Sequence, residues 1–257
     1  MPVQHWPQRL WIVRHGESSG NVARDAASAA RQTHIDTGAA RDVDVTLSAL
    51  GERQSGALGR WFAAMPPGDR PEVVFASPYL RACQTASLIR AEGGFAPGCA
   101  EIVADERLRE KEFGILDRLT RWGIERHHPD QAEFRRTLGK FYHRPPGGES
   151  WTDVILRLRS VLDTVSLHHA RAGSRVLVVA HQVIVLCFRY LVEEMTEEQI
   201  LAIDREGDVA NCGVTEYALD AACDEPCLRL AAYNFVAPVA ERGAPVTRQP
   251  DAPAGAR

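Results

Sequence analysis

The sequence predicts a three-layer α/β/α fold with a mainly parallel central sheet and helices on both faces. Short apolar runs rich in β-formers recur along the chain, at Arg9–Arg14 (RLWIVR), Glu72–Ala76 (EVVFA) and Arg175–Ala180 (RVLVVA). Segments of helical spacing, such as Leu47–Met65, lie between them. The strongest run, Arg175–Ala180, is apolar without alternation, as a strand covered on both faces must be. Strands alternating with helices bury their faces best as a parallel sheet between helical layers. Ligands of such folds bind at the carboxyl ends of the strands.

Arg9–Arg14 is expected as the first strand, with a loop from His15. Asn21–Arg41 is small, polar and Ala-rich, and reads as a long loop or a short irregular helix. Leu47–Met65 has helical spacing, with Ser48 as N-cap and Pro66-Pro67-Gly68 as the stop. After the Glu72–Ala76 strand, Ser77-Pro78 opens a helix over Tyr79–Glu92. Glu101–Ala104 is a third strand, and Asp105–Asp117 is charged and irregular. Trp122–Tyr142 is an amphipathic helical stretch interrupted at Pro129. Pro145-Pro146-Gly147-Gly148 is a loop, and Ser150 or Thr152 caps a helix running to His169. A helix from Val183 to about Glu194 follows the strand Arg175–Ala180. Val214–Leu219 and Leu228–Tyr233 are late strands at hairpin-like spacing. One domain is expected over 1–236. Residues 237–257, rich in Pro, Ala, Gly and Arg without periodicity, are expected as a disordered tail.

The chain has 257 residues, 45% hydrophobic and 25% charged, which excludes wholly disordered and collagen-like classes. Its formal net charge of −4 gives no global pull toward nucleic acid or anionic membrane, so an anionic substrate needs a local cluster of cations. Cys83, Cys99, Cys187, Cys212, Cys223 and Cys227 are scattered, and a core of this size needs no staples. They are read as reduced thiols of a cytoplasmic protein. Cys223 and Cys227 form a C-x₃-C with no second pair nearby, so neither metal nor other cofactor is expected. The opening MPVQHWPQRLWIVRHG lacks the apolar stretch of a signal peptide. The run Val176–Phe188 is interrupted by His181 and Gln182 and is too short to span a bilayer.

The residues just past each strand carry the chemistry. Past the first come Arg14-His15-Gly16-Glu17-Ser18, then Asn21. Past the second come Ser77-Pro78-Tyr79-Leu80-Arg81. Past the third comes Glu110, within Leu108–Gly114, and past the strongest comes His181. On the predicted sheet all of them project from one edge. Converging cations and neutral donors suit a phosphoryl group, whose charge spreads over its equatorial oxygens. A histidine among them can take the phosphoryl group as nucleophile, and a carboxylic acid can protonate the departing oxygen. The residues alone leave Glu106 and Glu112 beside Glu110 for that acid role.

Arg14-His15-Gly16-Glu17-Ser18 with Asn21 resembles the signature of the histidine phosphatase superfamily, which includes cofactor-dependent phosphoglycerate mutases and fructose-2,6-bisphosphatases. Four further segments are similar to the family's in kind and order: Ser77-Pro78-x-x-Arg81-x-x-x-Thr85-Ala86, Leu108-x-Glu110-x-x-x-Gly114, Pro146–Ser150 and Val176–His181. The resemblance runs from Arg9 to about Leu219. It implies a phosphoglycerate mutase-like fold, with His15 as the nucleophile that becomes phosphohistidine and Glu110 as the proton donor. It implies that Arg14, Arg81 and His181 bind the phosphoryl group, helped by Asn21, and it draws Ser18 into phosphate binding. Gln182 after the second histidine resembles the fructose-2,6-bisphosphatases. The Asn21–Thr46 stretch is longer than in the mutases, the Leu108–Trp151 region resembles a plant and fungal branch, and the interval from Glu110 to His181 lacks a long cap-like insertion.

The implied function is a metal-independent phosphomonoesterase for a small phosphorylated metabolite. The runners-up are a phosphoglycerate mutase and a non-catalytic phosphate-binding regulatory module. Nucleic acid and membrane are not expected as partners, and a homodimer is left open. Gly16-Glu17-Ser18-Ser19-Gly20 also fits G-x-S-x-G, the elbow that would make Ser18 an acyl-transfer nucleophile with His181 as base. That elbow needs a Gly-rich oxyanion loop upstream, and none exists.

Overall fold

The computed structural model describes residues 5–99, 101–222 and 226–248. The chain forms β1 (Arg9–Arg14), α1 (Ser19–Ala29), α2 (Ala49–Ala63), β2 (Val73–Ala76), α3 (Leu80–Ala91) and β3 (Ile102–Ala104). Next come α4 (Arg121–His127), α5 (Pro129–Tyr142), α6 (Trp151–His168), β4 (Arg175–Ala180), α7 (Gln182–Val192) and α8 (Glu197–Glu206). The last elements are β5 (Val214–Asp220), β6 (Cys227–Phe235) and the short α9 (Ala237–Ala240).

The strands make one sheet in the order β3-β2-β4-β1-β5-β6. β3, β2, β4 and β1 run parallel, while β5 and β6 add an antiparallel hairpin at one edge. Side-chain alternation along β1 splits the core into two layers. Leu10 and Ile12 pack with Leu158 of α6 and Ile184 and Phe188 of α7. Trp11 and Val13 pack with Leu58 and Phe62 of α2 and Ile89 of α3. Both faces of the sheet are therefore covered by helices, as the unalternating apolar strands require. Among the described residues no helix is long and apolar enough to cross a membrane.

Helix ends follow their capping residues. Ser48 accepts from the Gly51 amide at 3.0 Å to start α2. Ser150, not Thr152, caps α6, in a reciprocal box with Asp153. His128 separates α4 from α5 just before Pro129, where the interruption was expected.

Three stretches depart from the sequence reading. The segment read as a loop or irregular helix from Asn21 contains a regular helix, α1, started by a capping box between Ser18 and Asn21. α8 was not anticipated; its Thr196–Gln199 capping box is its sequence signal. The expectation of a disordered tail does not hold over 237–248. There Val239 is fully buried and Ala244 nearly so, both against the layer that holds α2. The Gln54 amide donates to the Pro245 carbonyl at 2.8 Å, and the Asn211 backbone N–H donates to the Thr247 carbonyl at 2.9 Å. The anchors are single residues, and their partners lie far away in sequence, so no local periodicity marks them. Residues 249–257 and Cys223 lie outside the described residues, while Cys83, Cys99, Cys187 and Cys212 carry free thiols.

Val239 tests this packing. Val239→Ala removes two buried methyl groups, a loss of about 2 kcal/mol, and should lower Tm by roughly 4–8 °C in a chain of this size. An unchanged Tm would return the segment to a detached tail.

Candidate active site

Strand register brings the first pair of residues together. β1 and β4 pair in parallel from Arg9 with Arg175 to Arg14 with Ala180. Their last residues are partners, so His15 and His181 leave the sheet side by side. The His15 backbone N–H donates to the Ala180 carbonyl at 2.9 Å, and the two imidazole centroids lie 5.1 Å apart. On the other side of β4, Ala76 of β2 pairs with Val179. Ser77 thereby lies next to His181, with its hydroxyl 2.8 Å from His181 Nε2.

His15 is fully buried, and its Nδ1 lies 2.7 Å from the Gly16 carbonyl oxygen. A carbonyl only accepts, so Nδ1 carries the proton and Nε2 presents a lone pair. Arg81 Nε stands 3.2 Å from that Nε2. α3, opened just past β2, carries Arg81 on its first turn. Tyr79 lies under Arg81, with the guanidinium carbon 4.9 Å from the ring centroid, and edge-on to His181 at 5.1 Å. Burial, then the charges of Glu112 and Asp42, pushes the Tyr79 phenol well above its ordinary value, so it is a neutral donor. It donates to Glu112 at 3.0 Å. Arg14 is fully buried and donates to the Val209 carbonyl. α7 begins directly after His181, which places the positive end of its dipole at the cluster.

Glu110 is 2% exposed, whereas Glu106 is exposed and Glu112 is engaged by Tyr79. Of the three carboxylates left open by the sequence, Glu110 is the buried one. A half-buried clamp fixes its loop. Glu149 accepts from Arg109 at 2.7 Å, from Arg157 Nε at 3.0 Å and from the Glu112 backbone N–H at 3.0 Å. Burial alone would raise the Glu149 carboxyl, but the hydrogen bond and charge of Arg157 hold it below its ordinary value. Glu149 is therefore an anion that ties the loop to α6. The Lys111 backbone N–H donates to Glu110 Oε1 at 2.7 Å, orienting the carboxyl.

Close packing holds the His15 loop from behind. A Cβ on Gly16 would lie 2.5 Å from the Gly51 carbonyl oxygen, and one on Gly51 would lie 1.9 Å from that of Glu17. Asn211 donates to the His15 carbonyl at 3.1 Å and accepts from Thr247 at 3.0 Å. Asn21 and Ser18 are both buried beside this loop, and each is engaged in the capping of α1: Asn21 Oδ1 accepts from the Ser18 N–H and hydroxyl, both at 2.9 Å. Ser18 is thus not paired with His181, whose Nε2 faces Ser77, so the acyl-transfer elbow is not assembled.

The sequence reading missed Asp42, Asn211 and the contacts of Ser77 and Tyr79. Ser77 and Tyr79 had a signal, their place in the turn that carries Arg81. Asp42 had none. It sits in a 3₁₀ turn of the long segment between α1 and α2, which the 116–120 stretch pins through the Ile35 N–H to the Arg118 carbonyl at 2.8 Å and Arg118 to the Ala40 carbonyl at 2.9 Å. The Asp42 carboxylate receives Arg81 Nη2 at 3.0 Å, and its carbonyl receives Nη1 at 2.8 Å.

The profile of the histidine phosphatase superfamily (branch 1) matches residues 10–225. A 2,3-bisphosphoglycerate-dependent phosphoglycerate mutase from Methylorubrum extorquens is 31% identical over 201 residues, covering 76% of this chain and 84% of that protein. One from Rhizobium rhizogenes is 32% identical with the same coverage. A mycobacterial glucosyl-3-phosphoglycerate phosphatase has a similar structure, with TM-score 0.66 and 23% identity over 89% of this chain and 99% of the other. The α-ribazole phosphatase of Shigella flexneri gives TM-score 0.65 and 19% identity over 89% and 98%. At these identities the two structures speak to the fold, which is phosphoglycerate mutase-like.

Asp42 holds Arg81 as a tetrahedral oxyanion would. Asp42→Asn should therefore tighten binding of orthovanadate roughly fivefold, the scale of about 1 kcal/mol for one partly exposed charged contact. Weaker binding in the variant would mean that Asp42 orients Arg81 rather than competing for it.

Proposed function

The chain belongs to the histidine phosphatase superfamily, and on that premise we propose that it is a metal-independent phosphomonoesterase. Its substrate would be a small phosphorylated metabolite and its intermediate a phosphohistidine at His15. The observation that carries this reading is the state of His15: Nδ1 is committed to the Gly16 carbonyl, and Nε2 faces the Arg81 guanidinium at 3.2 Å. A lone pair beside Arg81, His181 and the start of α7 is what in-line phosphoryl transfer asks of a protein.

In the first half-reaction His15 Nε2 attacks phosphorus and the P–O bond to the alcohol breaks. Arg14, Arg81 and His181 take up the charge on the equatorial oxygens. The Glu110 carboxyl gives its proton to the departing oxygen. In the second half, water attacks the phosphorus of phosphohistidine, Glu110 takes the water proton, and His15 recovers its lone pair as inorganic phosphate leaves. The Lys111 N–H and the Glu149–Arg157 clamp keep Glu110 aimed through both halves. Asn21 and Ser18 support the His15 loop and, in this reading, the phosphate site beside it.

A mutase uses the same first step and gives the phosphoryl group to a bound phosphoglycerate instead of water. The identity of 31–32% to proteins named phosphoglycerate mutase favours that reading. Against it, the interval between Glu110 and His181 holds α4, α5 and α6 before β4 with no long cap-like insertion, which favours water as acceptor. A panel of phosphorylated metabolites, with free phosphate and isomerised product both measured, separates the two. No turnover across the panel would leave a phosphate-binding module.

Two outcomes are expected of the chemistry. Rapid quench at neutral or alkaline pH should trap phosphate on His15, and His15→Ala should abolish both the trapped species and turnover; near-normal activity in that variant would sink the mechanism. Glu110→Gln should lose about 10²–10⁴-fold with an alkyl phosphate. The burst rate with p-nitrophenyl phosphate, whose leaving group needs little acid, should fall much less. An equal loss in both burst rates would remove Glu110 from the acid role.

A further inference from the structure

Tyr79 stands in the turn between β2 and α3, where the chain leaves the sheet for the cluster. Its backbone is fixed on both sides. The Tyr79 N–H donates to the Ser77 hydroxyl at 3.3 Å. Its carbonyl accepts from the Ala82 and Cys83 N–H groups at 2.9 and 3.1 Å, which opens the helix that carries Arg81.

The side chain is 7% exposed and touches three parts of the site. The Arg81 guanidinium carbon lies 4.9 Å from the ring centroid. His181 meets the ring edge-on, with centroids 5.1 Å apart. The hydroxyl donates to Glu112 Oε1 at 3.0 Å. A residue that only filled this space would be apolar, because a buried hydroxyl costs stability unless it is bonded. Here it is bonded, and to the acid loop.

Glu112 is in turn held at two points. Its backbone N–H donates to Glu149 Oε2 at 3.0 Å, on the side of α6, and its carboxylate receives Tyr79 from the side of the cluster. Glu110 precedes it in the same loop. A proton donor works only within hydrogen-bond reach of the leaving oxygen. Arg81 and His181 set where that oxygen stands, since they hold the phosphoryl group. The alignment that matters is therefore that of the acid loop with the start of α3, and Tyr79 spans the two.

We infer that Tyr79 is a positioning residue with two separable parts. Its ring seats Arg81 and His181, and its hydroxyl latches the acid loop through Glu112 so that Glu110 meets the leaving oxygen. This rests on the phosphomonoesterase reading and adds to it a residue that ties phosphate binding to proton transfer.

The test follows phosphohistidine formation from benzyl phosphate, whose alcohol needs a proton, and from p-nitrophenyl phosphate, which needs little. Tyr79→Phe keeps the ring and removes the latch. Its rate with benzyl phosphate should fall about tenfold, while the p-nitrophenyl burst and orthovanadate affinity hold. Tyr79→Leu removes the ring as well, so both rates should fall and orthovanadate should bind roughly fivefold more weakly. Glu112→Ala should reproduce Tyr79→Phe, and Glu112→Gln, which keeps an acceptor oxygen, should regain most of that loss. Tyr79→Phe and Glu112→Ala combined should lose no more than either alone. An equal fall for both esters in Tyr79→Phe, or additive losses in the double variant, overturns the latch. A loss in Glu112→Gln as deep as in Glu112→Ala overturns it too, because the carboxylate would then act through its charge or its proton. Unchanged orthovanadate affinity in Tyr79→Leu overturns the role of the ring. Amide exchange over 110–114 needs no turnover and should quicken in Tyr79→Phe. If it does so with no ester hydrolysed, the phosphatase reading alone fails, whereas unchanged exchange overturns the latch whatever the kinetics.

Discussion

The in-register parallel pairing of β1 with β4 is the constraint on which the rest of the molecule depends. Arg14 and Ala180 close the two strands as partners, so two histidines distant in sequence emerge as neighbours. A slip of one residue would turn Leu10 and Ile12 to the wrong face of the sheet and separate the imidazoles at the same time. The core and the site are thus fixed by one set of hydrogen bonds. β2, joined to the other side of β4, then sets the position of Ser77 and, through α3, of Arg81.

Around this frame the protein uses buried charge in two ways. At the cluster, Arg81 stands against His15, and the loop carrying Asp42 supplies it with a carboxylate. Behind the acid loop, Glu149 meets Arg109 and Arg157 in a satisfied pair network that holds a segment without regular structure. The half-buried Glu149 carboxylate is met there by Arg109, Arg157 and the Glu112 backbone N–H.

The segment after β6 serves the site at a distance. Gln54 donates to Pro245 and Thr247 while accepting from the Glu17 N–H, and Asn211 bridges Thr247 to the His15 carbonyl. The backbone polar groups beyond β1 are thereby satisfied by side chains from α2 and from the loop before β5. The His15 turn is held from several directions, which lets it approach α2 as closely as Gly16 and Gly51 permit.

Local sequence determined what local physics can encode. Apolar runs marked the strands, Ser48 and Pro129 marked helix boundaries, and of the residues just past the strands His15, Arg81 and His181 meet as expected. The bare residues left the acid open among Glu106, Glu110 and Glu112, and the family resemblance named Glu110. Only the tertiary structure decided the rest, because each remaining feature depends on partners remote in the chain. Glu110 is the buried one of the three carboxylates, Asp42 reaches Arg81 across the fold, and Val239 finds its pocket against the α2 layer. The tautomer of His15 is set by a backbone carbonyl whose direction no side-chain pattern records. Periodicity reports which face of an element is buried, but not which distant group it will meet.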